Sequence, residues 1–178
     1  KQFTIPTEAQ DYSDLELLIY LESLSIHNGQ ASQLSHIANL SSLKELEIRN
    51  TSVEPSLLKN IAAFPALEHL TLDGCNLTSI NELETAKNLQ YLDVSNNTLR
   101  NISVLSLLPN LRELYMPYNA LIDLSSLSTM RNLTKLDVSH NTIASISPVC
   151  SITSLQSLNA DYNLIDSISG IGNLEALK

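Results

Sequence analysis

The sequence predicts an α/β solenoid: a right-handed horseshoe with a parallel sheet on its concave face and mainly 3₁₀ turns on its convex face. Two observations lead to this fold class. Apolar residues recur with a period of 22 residues along most of the chain, and leucine dominates them, with 34 Leu against two Phe and no Trp. A period of this length is typical of repeat architectures, in which each unit buries its apolar side chains against its neighbours.

The repeating unit begins at a leucine and reads L-x-x-L-x-Φ-x-x-N-x-Φ-x-x-Φ-x-x-Φ-x-x-Φ-x-x, where Φ is apolar and positions are counted from that leucine. Each unit has 22 residues, except that the second has 24. We therefore expect repeats over residues 21–178, as seven units plus a truncated eighth. The seven units begin at Leu21, Leu43, Leu67, Leu89, Leu111, Leu133 and Leu155, and the eighth begins at Leu177.

The spacing within a unit predicts its local structure. Positions 4 and 6 are separated by two residues, which places both side chains on one face of a short strand. Positions 11, 14, 17 and 20 are separated by three, which suits 3₁₀ turns on the convex side. The long second unit differs, because Pro55 to Ala63 has the pattern of a short α-helix that opens with proline.

Position 9 is expected to hold a structural ladder of buried side chains. An asparagine there can bond the backbone where the chain leaves the strand, and unpaired backbone groups at that point would cost about 1–3 kcal/mol each. Cys75 occupies the same position and is interpreted as a small buried thiol, not as a nucleophile. The residues at this position are Gly29, Thr51, Cys75, Asn97, Asn119, Asn141 and Asn163.

The two ends are expected to differ from the repeats. Ser13 to Glu16 has the pattern of a capping box, so residues 1–20 are expected to form a mostly helical N-terminal cap. The first residues contain no apolar leader segment, which suggests a mature or trimmed start. The chain ends inside a unit, so we expect a fragment of a longer protein.

Composition and motifs weigh against several functions. The formal charge of −9 would repel nucleic acid and anionic membranes, and no apolar run is long enough for membrane insertion. The sequence has no metalloprotease, P-loop or dinucleotide-binding motif, and Cys75 and Cys150 lie three units apart, beyond disulfide reach. We therefore expect no enzymatic activity, no metal and no cofactor, and a monomer that binds protein.

The repeated unit resembles the leucine-rich repeats, and within them the short class found in bacterial internalin-type surface proteins and in eukaryotic nuclear phosphatase regulators. Ile143 to Val149, with Pro148, and Leu121 to Leu127, with Asp123, are similar to the N-x-I-x-D-I-x-P-L turn of internalins. The resemblance implies recognition of a host or neighbouring protein at the cell surface, through the concave face.

The concave face carries the candidate partner-binding residues. Four of the six tyrosines fall at its exposed positions, and tyrosine is a frequent anchor of protein interfaces. Tyr91, Tyr115 and Tyr118 lie on adjacent strands and are expected to form one patch, with Tyr162 roughly 10 Å further along. The alternative is that tyrosine simply suits a pleated surface. The full candidate set is Tyr91, Tyr115, Tyr118, Tyr162, His140, Asp73, Asp93, Glu113, Asp137 and Asp161.

The carboxylates in this set are expected to form an acidic rim for a partner that offers basic or amide groups. Pro117 falls at a strand position without an N–H to donate. We expect either a local break in the sheet beside the tyrosine patch or a structural irregularity without function.

Three functions are compatible with these features of the sequence. The first is a recognition module of a secreted or surface-attached bacterial adhesion protein, located outside the cell. The second is an intracellular regulatory scaffold similar to the phosphatase regulators, located in the cytoplasm. The third is a structural spacer that presents other domains. The few cysteines do not separate the first two, because both kinds of repeat protein fold without disulfides.

Overall fold

A computed structural model describes residues 1–178 and contains one sheet of eight parallel strands, in which each strand lies next to its neighbours in sequence. This order is that of a solenoid, and it confirms the predicted fold class. The strands are Gln2–Ile5 (β1), Ser23–His27 (β2), Glu45–Arg49 (β3), His69–Asp73 (β4), Tyr91–Asp93 (β5), Glu113–Tyr115 (β6), Lys135–Asp137 (β7) and Ser157–Asn159 (β8).

The convex side consists mainly of 3₁₀ turns, as the spacing of three predicts. The exception is one α-helix, Pro55–Ala62 (α1), which begins at its proline in the 24-residue unit. The turns are Ser13–Leu17, Ala31–Ile37, Asn81–Thr85, Ser103–Leu107, Ser125–Leu127, Ser147–Ser151 and Ile171–Asn173.

A single apolar core of 51 buried residues runs the length of the solenoid between the sheet and the convex turns. The repeat aligns equivalent leucines: Leu46 is in register with Leu70, and Leu70 with Leu92. All three are buried. Burying one such side chain contributes about 1.5–3 kcal/mol. A shift in register would move these leucines out of the core, so the period of the repeat determines the register of every strand.

The ladder at position 9 is confirmed. Asn97 donates its amide N–H groups to the carbonyl oxygens of Leu72, Val94 and Ser95, at 2.8 to 2.9 Å. Its Oδ1 accepts the backbone N–H groups of Cys75 and Leu77, at 3.1 and 2.9 Å. One buried side chain therefore satisfies five backbone groups where the chain turns away from the strand.

Cys75 occupies the same ladder position and is buried, as expected. Its thiol donates to the carbonyl oxygen of Ile48 at 3.3 Å. Burial raises the pKa of the Cys75 thiol to about 12. The thiol therefore stays protonated at neutral pH and acts as a packing residue.

Residues 1–20 do not form the mostly helical cap that was expected. Their first element is strand β1, which pairs in parallel with β2 so that Phe3 lies opposite Leu24 and Ile5 opposite Ile26. The helical part is one 3₁₀ turn, Ser13–Leu17. The segment thus repeats the strand-and-turn arrangement of the units that follow it.

The physical reason for this difference lies in the spacing of the apolar residues. Ala9, Tyr12, Leu15 and Leu18 are three apart, which suits a 3₁₀ turn and drifts around an α-helix. The expected capping box is also absent: the N–H of Ser13 is accepted by Oδ1 of Asp11 at 2.9 Å, and no side chain caps the turn.

Candidate functional site

Position 8 of every unit, directly after the strand, has a left-handed backbone. The φ angles at the seven positions lie between 51° and 65°. Glycine and asparagine tolerate this conformation, and they occupy it in the first four units. Tyr118, His140 and Tyr162 occupy it in the last three, where a left-handed residue other than glycine costs of order 1–3 kcal/mol.

The rings of Tyr118, His140 and Tyr162 form one stack, here called the edge column. The ring centroids of Tyr118 and His140 are 4.0 Å apart, and those of His140 and Tyr162 are 4.2 Å apart, with planes inclined by 11° in both pairs. The tyrosines are 53% and 75% exposed. Because asparagine forms the same turn in earlier units, folding alone does not require aromatic residues here.

A second aromatic group, here called the central column, lies on the strands themselves. It consists of His69, Tyr91 and Tyr115, with ring centroids 5.8 Å apart in the first pair and 5.4 Å in the second. The hydroxyl of Tyr115 donates to Oε2 of Glu113 at 3.0 Å. Burial, with the Glu113 carboxylate adding to it, raises the pKa of Tyr115 to about 12, so this hydroxyl remains neutral.

The expected single patch of tyrosines is therefore corrected. Tyr91 and Tyr115 contact each other, whereas Tyr118 stacks through His140 onto Tyr162. The division arises because positions 3 and 5 lie on the strand, whereas position 8 is the left-handed residue after the strand has ended. The sequence interpretation missed His69, although its place in register with Tyr91 would have revealed it.

Two of the candidate carboxylates lie beside the guanidinium group of Arg49. Asp73 forms an ion pair with the Arg49 guanidinium and accepts the side-chain N–H of Asn96 at 2.7 Å. Asp93 is buried; it accepts the N–H and the hydroxyl of Ser95, and its other oxygen lies 4.0 Å from Arg49. Neither carboxylate is free to pair with a partner without first breaking these bonds.

Two more carboxylates are satisfied further along the sheet. Glu113 forms a salt bridge with Lys135 at 3.0 Å. Asp137 accepts the N–H and hydroxyl of Ser139, at 2.9 and 2.7 Å, and the amide of Asn159 at 3.0 Å. The fifth, Asp161, is exposed and its carboxylate makes no such bond. The expected acidic rim is thus reduced to one free carboxylate.

Glu47 and Arg49 form the ionic part of the concave face on β3. Glu47 accepts the Nε–H of Arg49 and the hydroxyl of Ser25, the latter at 3.1 Å. Burial acts to raise the pKa of Glu47, but the bonds from Arg49 and Ser25 outweigh it and lower that pKa. The concave face is therefore ionic in its first units and aromatic in its later ones.

Pro117 does not break the sheet, so the first of the two alternatives, a local break, was wrong. In the units before and after it, the equivalent N–H belongs to Ser95 or Ser139 and donates to the Asp side chain two residues earlier. In these neighbouring units the sheet makes no use of the N–H at this position. The carbonyl of Pro117 still accepts the N–H of Asn96 at 3.0 Å.

A second asparagine row lies at the opposite end of the strands and was not recognised in the sequence. Asn88, Asn110 and Asn132 donate their side-chain N–H groups to carbonyl oxygens of the preceding unit, at 2.8 to 2.9 Å. The recurrence of asparagine at the last position of three units is the signal that would have found this row. The row borders a polar groove of about 330 Å³.

The remaining chemistry-bearing side chains are dispersed. Both cysteines are free and buried. No group of three or more His, Cys, Asp or Glu side chains is placed to hold a metal ion. None of the helices has the length and apolar character needed to cross a lipid bilayer.

Comparison with known proteins agrees with this architecture. A family model described as leucine-rich repeat matches residues 65–121, and a two-copy leucine-rich repeat model matches residues 109–151 and 131–173. Together these matches cover more than half of the chain, which therefore belongs to the leucine-rich repeat family. A search of curated proteins finds no match.

Solved structures of internalins resemble the whole chain. An internalin from Listeria monocytogenes has a TM-score of 0.83 and 28% identity, covering 94% of this chain and 49% of its own. Internalin C2 from the same species has a TM-score of 0.83 and 29% identity, covering 98% and 77%. A leucine-rich repeat protein from Leptospira interrogans has a TM-score of 0.82 and 27% identity, covering 98% and 44%.

These similarities confirm the resemblance to internalins inferred from the sequence. The chain spans about half the length of the first of these structures. Solenoids of this kind present extended concave surfaces for binding, and the fold is that of a protein-binding module.

Proposed function

We propose that the chain is the recognition module of a secreted or surface-attached bacterial protein of internalin type, and that it binds a partner protein through its concave face. The observation that supports this most strongly is the edge column. Tyr118 and Tyr162 sit in strained backbone positions where the earlier units have asparagine or glycine, and both rings are exposed. Strain that folding does not require is typical of functional sites.

The two aromatic columns offer a partner rigid apolar area at low entropic cost. Because the rings of the edge column stack face to face, a partner meets mainly their edges. Ring edges carry partial positive charge, so they complement backbone carbonyls and aromatic faces on the partner. This replaces the earlier hypothesis of a basic partner, since most concave carboxylates are already bonded within the chain.

The surface location is supported by the resemblance to internalin-type surface proteins. The chain's charge of −9 would favour encounters with partners that are neutral or basic overall. At the contact itself, however, we expect the neutral aromatic columns to contribute most of the affinity. Charge then affects the association rate more than the strength of binding.

The test is a pull-down from host-cell and own-cell extracts with mass spectrometry of the retained proteins. Wild type is compared with two double variants, Tyr91→Ala with Tyr115→Ala, and Tyr118→Asn with Tyr162→Asn. Tyr20→Ala is the matched control, because Tyr20 is 72% exposed and lies in the turn before β2, outside the strands of the concave face. A protein retained by wild type and by the control, and lost with either double variant, supports the proposal. Equal retention by all four would contradict it.

A further inference from the structure

The polar groove lies at the end of the sheet where the chain enters the strands, and is here called the entry groove. Its volume is about 330 Å³, and six of its eight lining residues are polar or charged. Two parallel rows supply its functional groups. The first row is Glu68, Gln90 and Arg112, directly before β4, β5 and β6, and the second is Asn88, Asn110 and Asn132.

The entry groove has hydrogen-bonding capacity that the chain itself does not use. Each asparagine of the second row is held by its side-chain N–H bond to a backbone carbonyl, which leaves its Oδ1 without a partner. The side chains of Glu68, Gln90 and Arg112 make no hydrogen bond or salt bridge within the chain. The groove therefore presents carboxylate, amide and guanidinium groups that are available to a ligand.

The composition of the entry groove determines which ligand it suits. Sites for drug-like molecules occupy about 300–1,000 Å³ and are lined mostly by apolar side chains. In the entry groove, by contrast, a ligand must offer hydrogen bonds that replace those to water at nearly every contact. A polar group that is buried without a hydrogen-bond partner costs free energy. A molecule dense in hydroxyl groups meets that requirement, whereas a peptide would bring apolar side chains that find no partner.

The spacing of the two rows favours a chain-like ligand. Equivalent side chains recur at the strand separation of about 4.8 Å, which is comparable to the length of one sugar unit in an extended oligosaccharide. Glu68 and Arg112 carry opposite charges, so the first row has no net charge. We propose that the entry groove binds a neutral oligosaccharide that runs across β4, β5 and β6.

This site is separate from the edge column. The first row lies at position 2 and the edge column at position 8, which are about 20 Å apart along a strand at 3.3 Å per residue. A glycan in the entry groove and a protein on the edge column can therefore bind at the same time. The inference does not rest on the proposed protein partner.

The experiment is a titration of the isotope-labelled chain with cellotetraose, maltotetraose and chitotetraose, followed by NMR. The groove variant combines Glu68→Ala, Gln90→Ala and Arg112→Ala, which removes no bond within the chain. Gln156→Ala is the matched control, because Gln156 is an exposed position-2 residue outside the groove. We expect saturable shifts around the groove with at least one sugar, affinity reduced by about tenfold or more in the groove variant, and no change in Gln156→Ala.

The absence of saturable binding to all three sugars at millimolar concentration would overturn the proposal. Binding that the groove variant leaves unchanged would also overturn it. The double variant Tyr118→Asn with Tyr162→Asn must bind the sugar as wild type does. Loss of sugar binding in that variant would assign the sugar to the edge column and refute the entry groove as its site.

Discussion

The ring of Tyr118 lies parallel to the ring of His140, with centroids 4.0 Å apart and planes inclined by 11°. Both residues have left-handed backbone, with φ of 55° and 53°. Equivalent residues of neighbouring units are separated by one strand spacing, about 4.8 Å, which is close to the distance at which aromatic rings stack. The repeat therefore places any aromatic residues at position 8 in a continuous stack.

Tyr118→Asn should fold normally and should change the free energy of unfolding by no more than about 1 kcal/mol. Asparagine relieves the strain of the left-handed backbone, and this offsets the lost ring stack, which contributes about 0.5–1.5 kcal/mol. Urea denaturation measures the change in the free energy of unfolding. The comparison is Tyr118→Ala, which loses the ring stack but does not gain the tolerance of asparagine for left-handed backbone. If Tyr118→Asn unfolded the chain, the tyrosine would be required for folding and the functional argument would lose its basis.

Asn141→Ala should destabilise the chain by about 3 kcal/mol. The buried Asn141 side chain donates to three carbonyl oxygens and accepts the N–H of Leu121 at 3.0 Å. Each buried group left unpaired costs about 1–3 kcal/mol, and partial relaxation limits the sum. Asn132→Ala is the control, because its exposed side chain makes one bond and its loss should cost about 1 kcal/mol or less. Equal effects in urea denaturation would contradict the assigned role of the ladder.

The sequence was sufficient to predict the fold because its two apolar spacings determine it. Residues two apart predicted the strands, residues three apart predicted the 3₁₀ turns, and Pro55 marked the α-helix. The same two spacings were present in residues 1–20, at Phe3 and Ile5 and then from Ala9 to Leu18. The short capping pattern at Ser13 to Glu16 points instead to a helix, but such a pattern is weak evidence when the apolar spacing that follows it does not suit an α-helix.

The candidate site was predicted less completely. The aromatic residues were found, but their grouping depended on the left-handed backbone at position 8, which a strand pattern does not show. The count of carboxylates predicts an acidic rim, whereas their pairing depends on serines two residues away and on neighbours 22 or 24 residues away, such as Arg49 for Asp73. Such pairs become predictable only when the units are aligned column by column.

Pro117 and Tyr115 should behave as a coupled pair in a double-mutant cycle. Neighbouring units combine Asp and Ser at these positions, with the Ser139 N–H donated to Asp137 at 2.9 Å. Pro117→Ser alone introduces an N–H without that acceptor, and Tyr115→Asp alone introduces an acceptor without that donor. We expect the double variant to be about 1 kcal/mol more stable than the sum of the single effects predicts. Additive effects in urea denaturation would show that proline is chosen for another reason.

Glu47→Gln should weaken the chain at neutral pH, and the weakening should diminish in acid. The pKa of Glu47 is lowered from its ordinary value of 4.5 in the folded chain, so the carboxylate stabilises the fold above that pH. As the pH falls below 4.5, the unfolded chain takes up the proton first, and the stabilisation is lost until the folded chain is also protonated. Urea denaturation of wild type and Glu47→Gln from pH 7 to pH 3 should give stability curves that converge.

Glu45→Gln, which removes a carboxylate from the same strand without an arginine contact, controls for the change in net charge. Parallel curves for wild type and Glu47→Gln would contradict the role given to the Arg49 pair.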